Sequence, residues 1–341
     1  IHGPHGDGHF RPQFAGPVLL VAGGSGLAPM LSIAGSAVEH GWTQPIHLYI
    51  GVRDEPDVYG ASRLSALAAR CPALRYTYVL SQPNAPTARR TGLVTDAIAA
   101  DFGDFGALRA YLAGLRATLP ERPRAFLVVS AHWEAEVPTL GIGAAPGMLF
   151  DYYGFPPHTY HLSYPAPGDP SVAARAGALL AAAGIASDTD AERGFDHGVF
   201  VPFLIIDPEA TIPVVTLSLR HDLDPAAHLA IGRALAPLRD EGVAIIGSGM
   251  SYHNLRHFMD GDGEDSARFD AWLTATATAA PAARDAGLNG WAQAPAARQC
   301  HPRPEHLLPL MVVAGAAGAD PGRHDYADII GGKHVSGYRF G

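Results

Sequence analysis

Three histidines stand where α/β chains usually do chemistry. His132 closes the apolar run FLVVSAHWE (126–134), and His253 follows a second such run in VAIIGSGMSYHNL (243–255). His197 lies between them in sequence, in RGFDHGVFVP (193–202). The ends of apolar strands are where open α/β sheets place their ligands. Neutral imidazole binds iron, zinc and similar metals, and near neutral pH it also exchanges protons in either direction. Asn254, Ser130 and Ser251 could supply hydrogen bonds that orient such ligands. Glu134, two residues past His132, would share its face of a strand and could add a carboxylate. The chain holds no HExxH or CxxC pattern, so the familiar hydrolytic zinc motifs do not account for it. A single histidine at a strand end is as often an ordinary satisfied polar group; three near apolar strands, in the polar turns SAH and SYHN, point to a shared site.

A second constellation lies near the start. AGGSGLAP (22–29) joins an apolar run to a helical pattern. Gly23, Gly24, Ser25 and Gly26 would let the backbone approach a ligand closely, and the free N–H groups of the following helix would face a phosphate. The turn is not GxGxxG, so packing alone is an equal reading.

Alternating elements must carry these groups. PVLLVAG (17–23), IHLYIGV (46–52) and LRYTYVLS (74–81) read as buried strands, with helices over 28–41 and 61–70 between them and another opening at 92–102. Strands that are apolar throughout imply a parallel sheet covered on both faces. Beyond 105, helices are expected over 105–123, 172–185, 226–242, 266–280 and 304–318, and strands over 124–132, 211–219 and 243–249. Residues 144–170, rich in Tyr, Pro and Gly, read as a long functional loop.

Composition narrows the classes. The 341 residues suffice for two domains, with 48% hydrophobic and 17% charged content. A net charge of −9 argues against nucleic-acid binding. Lys333 is the one lysine, and 12 of the 17 histidines lie beyond residue 112. Cys71 and Cys300 form no paired motif, which suits a reducing, cytoplasmic setting. No run is long enough to span a bilayer and no signal peptide is expected. Assembly of identical copies stays open.

Two resemblances complete the reading. GPHGDGHF (3–10), LLVAGGSGLAPMLSI (19–33), LYIGVRDEPDVYG (48–60), YVLSQP (78–83) and GLVTDAI (92–98) resemble the nicotinamide-binding half of ferredoxin-reductase-type flavoprotein reductases. The resemblance implies that Gly23, Gly24, Ser25 and Gly26 receive the NAD(P)H pyrophosphate, with Arg53 and Asp57 near the nucleotide's edge. The flavin-binding barrel and the closing Cys-Gly-Pro-Pro segment have no counterpart.

From about 115 onward the chain resembles class III extradiol ring-cleavage dioxygenases of the LigB type, in the branch of 4,5-DOPA dioxygenase-like proteins. RAFLVVSAHWE (124–134), DYYGFP (151–156), YPAPGDP (164–170), RGFDHGVFVP (193–202), HNLR (253–256) and QCHPRPEHLLPL (299–310) carry it. It implies an Fe(II) centre, also able to take zinc, with His132 and His253 as ligands and His197 as acid/base. Tyr153, Phe155, His301 and His306 would line the pocket for a catechol, which dioxygen would cleave outside the diol. That family's opening strand, ending in Ser-His-Gly-x-Pro and carrying a further ligand, has no counterpart; His2, His5 and His9 lie near the start instead.

The expected architecture is therefore α/β throughout. An incomplete nucleotide-binding parallel-sheet domain (1–112) precedes a LigB-type α/β dioxygenase domain (113–341) lacking its usual first strand. The competing reading is an NAD(P)-binding or electron-transfer fragment fused to an inactive dioxygenase-like domain.

Overall fold

The computed structural model describes residues 10, 18–95, 97–98, 106–153, 157–258 and 263–341. They fall into two compact units. One is built from the described residues up to 98, with 255–258 and 330–332; the other holds the rest, from 106 onward.

The first unit contains strands β1 (Val18–Gly23), β2 (Ile46–Val52), β3 (Leu74–Leu80) and β4 (Arg90–Thr91), all parallel and in the order β1-β2-β3-β4. Successive side chains of a strand point to opposite faces. Leu48 and Ile50 of β2 accordingly join the core under the helices Leu27–Glu39 and Ala61–Arg70. Tyr49 packs with Val79 and Ala97 in a second cluster. The parallel sheet read from the sequence is present, but alternate residues of β1, Leu19 and Val21, are 45% and 44% exposed. The helix expected over 92–102 falls partly outside the described residues.

The second unit is organised by a five-stranded sheet of β5 (Ala125–Ala135), β6 (Thr139–Gly141), β7 (Asp188–Asp190), β8 (Val214–Arg220) and β9 (Val243–Ser248), in the order β7-β6-β8-β5-β9. β5 runs parallel to both β8 and β9, so their carboxyl ends open on one edge. The short β6 breaks the parallel pattern by pairing antiparallel with β8. Helix starts follow local chemistry. Asp169 and Asp224 accept N–H bonds at the first turns of Pro170–Ala182 and Pro225–Leu235, each with proline at the first position. The helix expected over 226–242 divides at Ala236 into Pro225–Leu235 and Pro237–Asp240.

Several elements lay outside the sequence reading, the short strands β6 and β7 among them. His197–Ile206 is a helix despite its β-branched run and Pro202. Pro281–Asn289 is another. Strands β10 (Gly322–Ile330) and β11 (Lys333–Phe340) form a separate two-stranded sheet around Gly331 and Gly332, both at positive φ. Among the described residues no helix is long and apolar enough to cross a membrane.

Candidate metal centre

The site begins with an irregularity in β5. From Val129 to Glu134, β5 advances five positions while β8 advances two, from Leu217 to Leu219. Such a bulge re-aims side chains. His132 sits inside it, its backbone held on both sides. Its N–H donates to Ser130 Oγ at 3.2 Å, and its carbonyl accepts from Arg193 at 3.3 Å. Ser130 and Arg193 in turn donate to the buried Asp196, at 2.8 and 3.1 Å. The bulge also breaks the strand alternation on which Glu134 was placed beside His132. Glu134 instead accepts from Arg303 at 2.6 Å, and it belongs to neither of the donor groupings below.

His197 opens its helix, where backbone N–H groups lack internal partners. Asp151, from the long loop, takes both that N–H (3.0 Å) and the ring Nδ1 (2.8 Å). Burial pushes the Asp151 carboxyl up, but the two bonds from His197 outweigh it and hold the group below its ordinary range. The carboxylate therefore accepts and His197 carries a proton on Nδ1, so Nε2 is the ring nitrogen that does not face Asp151. Gly198 is required beside it, since a Cβ there would stand 2.7 Å from His132 Cδ2 and 2.9 Å from Ser130 Oγ.

The loop after β9 is tied to residues 299–306. His253 N–H donates to the Cys300 carbonyl at 3.0 Å, Met250 N–H to the His306 carbonyl at 3.1 Å, and Asn254 Nδ2 to the Gln299 carbonyl at 2.7 Å. A Cβ on Gly249 would lie 2.2 Å from the His306 carbonyl oxygen, so only glycine lets the two loops approach this closely. Side chains meet there too. Glu305 Oε1 lies 3.1 Å from His253 Nδ1 and 3.4 Å from His306 Nδ1.

Four imidazoles thus form one continuous row. Ring centres are 3.8 Å apart for His197–His132, 4.8 Å for His132–His306 and 3.3 Å for His306–His253. Potential metal donors group as His132, Asp151 and His197, and as His253, Glu305 and His306. The two histidines read as ligands from sequence fall in different groupings, and His306 falls with His253. Burial, reinforced by the neighbouring imidazoles, pushes His306 down to about 2. Burial, with His197 next, likewise lowers His132. Both rings are neutral at physiological pH, the state a metal requires.

The remaining pocket expectations divide. His301 belongs to neither donor grouping. It is fully buried, its Nε2 lies 2.9 Å from the Ser251 carbonyl, and it packs against Phe269 and Trp291. Tyr153 is 91% exposed, and the neighbouring Tyr152 instead stands edge-on to His197 at 5.7 Å. Phe155 lies outside the described residues, as do His2, His5 and His9. Ser251 Oγ is used by Ser336 N–H, 2.8 Å away, and not by a histidine ring.

A family model described as the catalytic LigB subunit of aromatic ring-opening dioxygenase matches residues 102–340. The chain belongs to this LigB family. A 4,5-DOPA dioxygenase extradiol of Portulaca grandiflora is 43% identical over 205 residues, 58% of this chain and 74% of that protein. The crystal structure of an uncharacterized protein of Escherichia coli K12 superposes with TM-score 0.59 and 32% identity, covering 68% of this chain and 92% of that one. The imidazole row lies wholly within the part matched to LigB.

The first unit carries the second resemblance. An oxidoreductase NAD-binding domain model matches residues 20–119, overlapping the LigB match at 102–119. A reductase component of naphthalene 1,2-dioxygenase/salicylate 5-hydroxylase systems from Ralstonia is 50% identical over 114 residues, which span about a third (35%) of that relative. Gly23, Gly24, Arg53 and Asp57 line a cavity of about 900 Å³ within this unit. Ser25 and Gly26 occupy the short turn Gly24–Gly26 beside it. The Tyr59 hydroxyl donates to the Gly24 carbonyl, and Arg53 approaches Asp57 at 4.0 Å. Tyr59 also lines this cavity but was not singled out in the sequence, where nothing marked it apart from other tyrosines.

Proposed function

We propose that the LigB unit is a metal-dependent extradiol dioxygenase acting on a catechol-type ring, with His132 and His306 holding the cation. The observation that carries this reading is the contact of those two rings. Their ring centres lie 4.8 Å apart, and each ring belongs to a grouping with a second imidazole and a carboxylate. His253 and His306 are stacked, with Nδ1 of both turned to Glu305. We assign His306 as the ligand beside His132, and His253, read as a ligand from sequence, as a proton-transfer group. Each of the two groupings, a pair of imidazoles with one carboxylate, is of the donor type suited to non-haem Fe(II), and zinc would also fit. Bound there, Fe(II) supplies Lewis acidity towards the diol and reactivity towards dioxygen.

The protein's own groups do the rest. His197 and His253 flank the His132–His306 pair, each with Nδ1 turned to a carboxylate. Nε2 of each ring is thereby left to take a proton from a phenol or return one to the product. Tyr152 walls the side of His197. Both oxygen atoms of O₂ enter the product, so turnover needs no external reductant. The nicotinamide-type unit is then a dinucleotide-binding module beside the reaction, not a participant in it. We place the domain division near 105, where the two compact units part and inside the overlap of the two family matches, ahead of the 112 expected from sequence.

The test is anaerobic Fe(II) reconstitution followed by oxygen uptake on a panel of catechols. One cation per chain and catechol-dependent uptake are expected. A protein that binds the cation but consumes no oxygen with any catechol would overturn the enzymatic reading. It would favour the alternative of an NAD(P)-binding fragment fused to an inactive domain.

A further inference from the structure

We infer that Glu305 is a positioning residue that clamps a metal ligand and a proton-transfer group to one carboxylate oxygen. The inference rests on the roles just proposed for His306 and His253. Oε1 is the shared atom, 3.1 Å from His253 Nδ1 and 3.4 Å from His306 Nδ1. Nothing in the sequence had marked Glu305 for this, although it sits in HPRPEH between two histidines that were singled out.

The chemistry follows from the acceptor. A ring nitrogen that bonds to a carboxylate oxygen does so as the donor, so the contacts of Oε1 put a proton on Nδ1 of both rings. The second ring nitrogen, Nε2, is then the one left for a metal or for proton exchange. Because Nδ1 of each ring faces Oε1, Nε2 of each is turned away from that oxygen. One carboxylate thus sets the tautomer and the direction of two rings together, and fixes the distance between ligand and proton carrier.

The clamp is itself held. Pro302 and Pro304 restrict the backbone just before Glu305, and the Leu307 N–H closes a turn onto the Pro304 carbonyl at 2.8 Å. Oε2 is buried and has no hydrogen-bond partner among the described residues. It lies 3.7 Å from the Arg303 guanidinium, which is itself engaged by Glu134. Direct ligation by Oε1 would compete with the two N–H groups it already accepts, which is why positioning is the stronger reading.

Two substitutions separate the possibilities. Glu305→Gln keeps an oxygen that accepts from both rings but is a poor metal ligand; Glu305→Ala removes the acceptor. Nitrogen-15 NMR of the metal-free protein reads the tautomers directly. Nδ1–H forms of His253 and His306 are expected in the wild type and in Glu305→Gln, and mixed tautomers in Glu305→Ala. Co(II) titration should show Glu305→Gln within a few-fold of wild type and Glu305→Ala weaker by about 10–100-fold, with circular dichroism confirming that each variant is folded. Nε2–H tautomers in the wild type, or wild-type Co(II) affinity in Glu305→Ala, would overturn the clamp. Complete loss of Co(II) binding in Glu305→Gln would overturn it in favour of ligation by the carboxylate. A wild type that binds no Co(II) would instead sink the proposed metal centre, and the tautomer measurement would still decide whether Glu305 holds the two rings.

Discussion

His132 and His306 meet edge to face, their ring centres 4.8 Å apart, although one lies in the bulge of β5 and the other just ahead of the helix Leu308–Ala317. If this pair holds the cation, His132→Ala and His306→Ala should each lose metal binding and oxygen uptake together. His253→Ala should keep most of its metal and lose turnover by about 10²–10⁴-fold, the usual range for a lost acid/base group. Metal content by elemental analysis, measured beside oxygen uptake, separates the two patterns. Metal-free His253→Ala would restore His253 to the ligand set.

Asp151 caps the helix that begins at His197 and orients its ring at the same time. Asp151→Asn should lower the rate by roughly 10–100-fold, as for other groups that orient a working histidine, with little change in secondary structure. Its pH signature has a definite sign. The folded value lies below the ordinary 3.8, so the carboxylate's contribution to stability is complete above that value and is lost as pH falls through the lower, folded one. The difference in unfolding free energy between wild type and Asp151→Asn should therefore shrink with acidification below about pH 4. A gap independent of pH would show that the ionised form is not what holds the helix start.

Burial pushes the His301 imidazole down to about 4, while an unfolded chain would take up its proton near 6.5. Between these values the unfolded state binds more protons, so stability should rise with pH across about 4 to 6.5. His301→Gln should flatten that slope, by up to about 1.4 kcal/mol per pH unit. Urea unfolding of the metal-free protein at several pH values is the measurement, and an unchanged slope would contradict it.

Gly249→Ala would place a methyl group 2.2 Å from the His306 carbonyl oxygen. The two loops would have to separate, at about 1–3 kcal/mol for an overpacked site. Thermal unfolding should show the loss, with weaker metal binding alongside it. Retention of both would mean that the loops have more freedom than their bonds imply.

Asp196 is almost wholly buried and faces the Arg193 guanidinium. Asp196→Ala would leave that cation buried without its partner, destabilising the unit by about 3–5 kcal/mol. Chemical denaturation checks this, and a loss below about 1 kcal/mol would mean that Arg193 relaxes to solvent.

Strand β5, which carries His132, and β9, which leads to the His253 loop, were legible because buried parallel strands are continuous apolar runs bounded by polar turns. The first unit's elements read almost residue for residue, since its helices and strands alternate with clear turn residues. Less was visible where tertiary contacts override local pattern. VFVPFLII in His197–Ile206 looks like strand, yet it is a helix buried on several sides, and burial on all sides erases amphipathic period. Glu305 and Asp151 were missed because a carboxylate's work depends on which ring it faces, a relation between loops far apart in sequence. Tyr152 and Tyr153 are adjacent and chemically identical; only the path of the loop decides which meets His197. The hairpin of β10 and β11 did leave a sign, since Gly331-Gly332 between two mixed-polarity runs is a favoured two-residue turn.

The rings of the row are delivered by a strand bulge, a helix start and two loops, none of which could assemble them alone. Their arrangement exists only in the native chain, so a cation captured there would bind the folded form and not the unfolded one. By mass action its free concentration would then enter the unfolding equilibrium directly, adding about 2.7 kcal/mol at a hundredfold excess over Kd. Thermal resistance of this protein would become a function of cellular iron supply, and chelation would act as a denaturant.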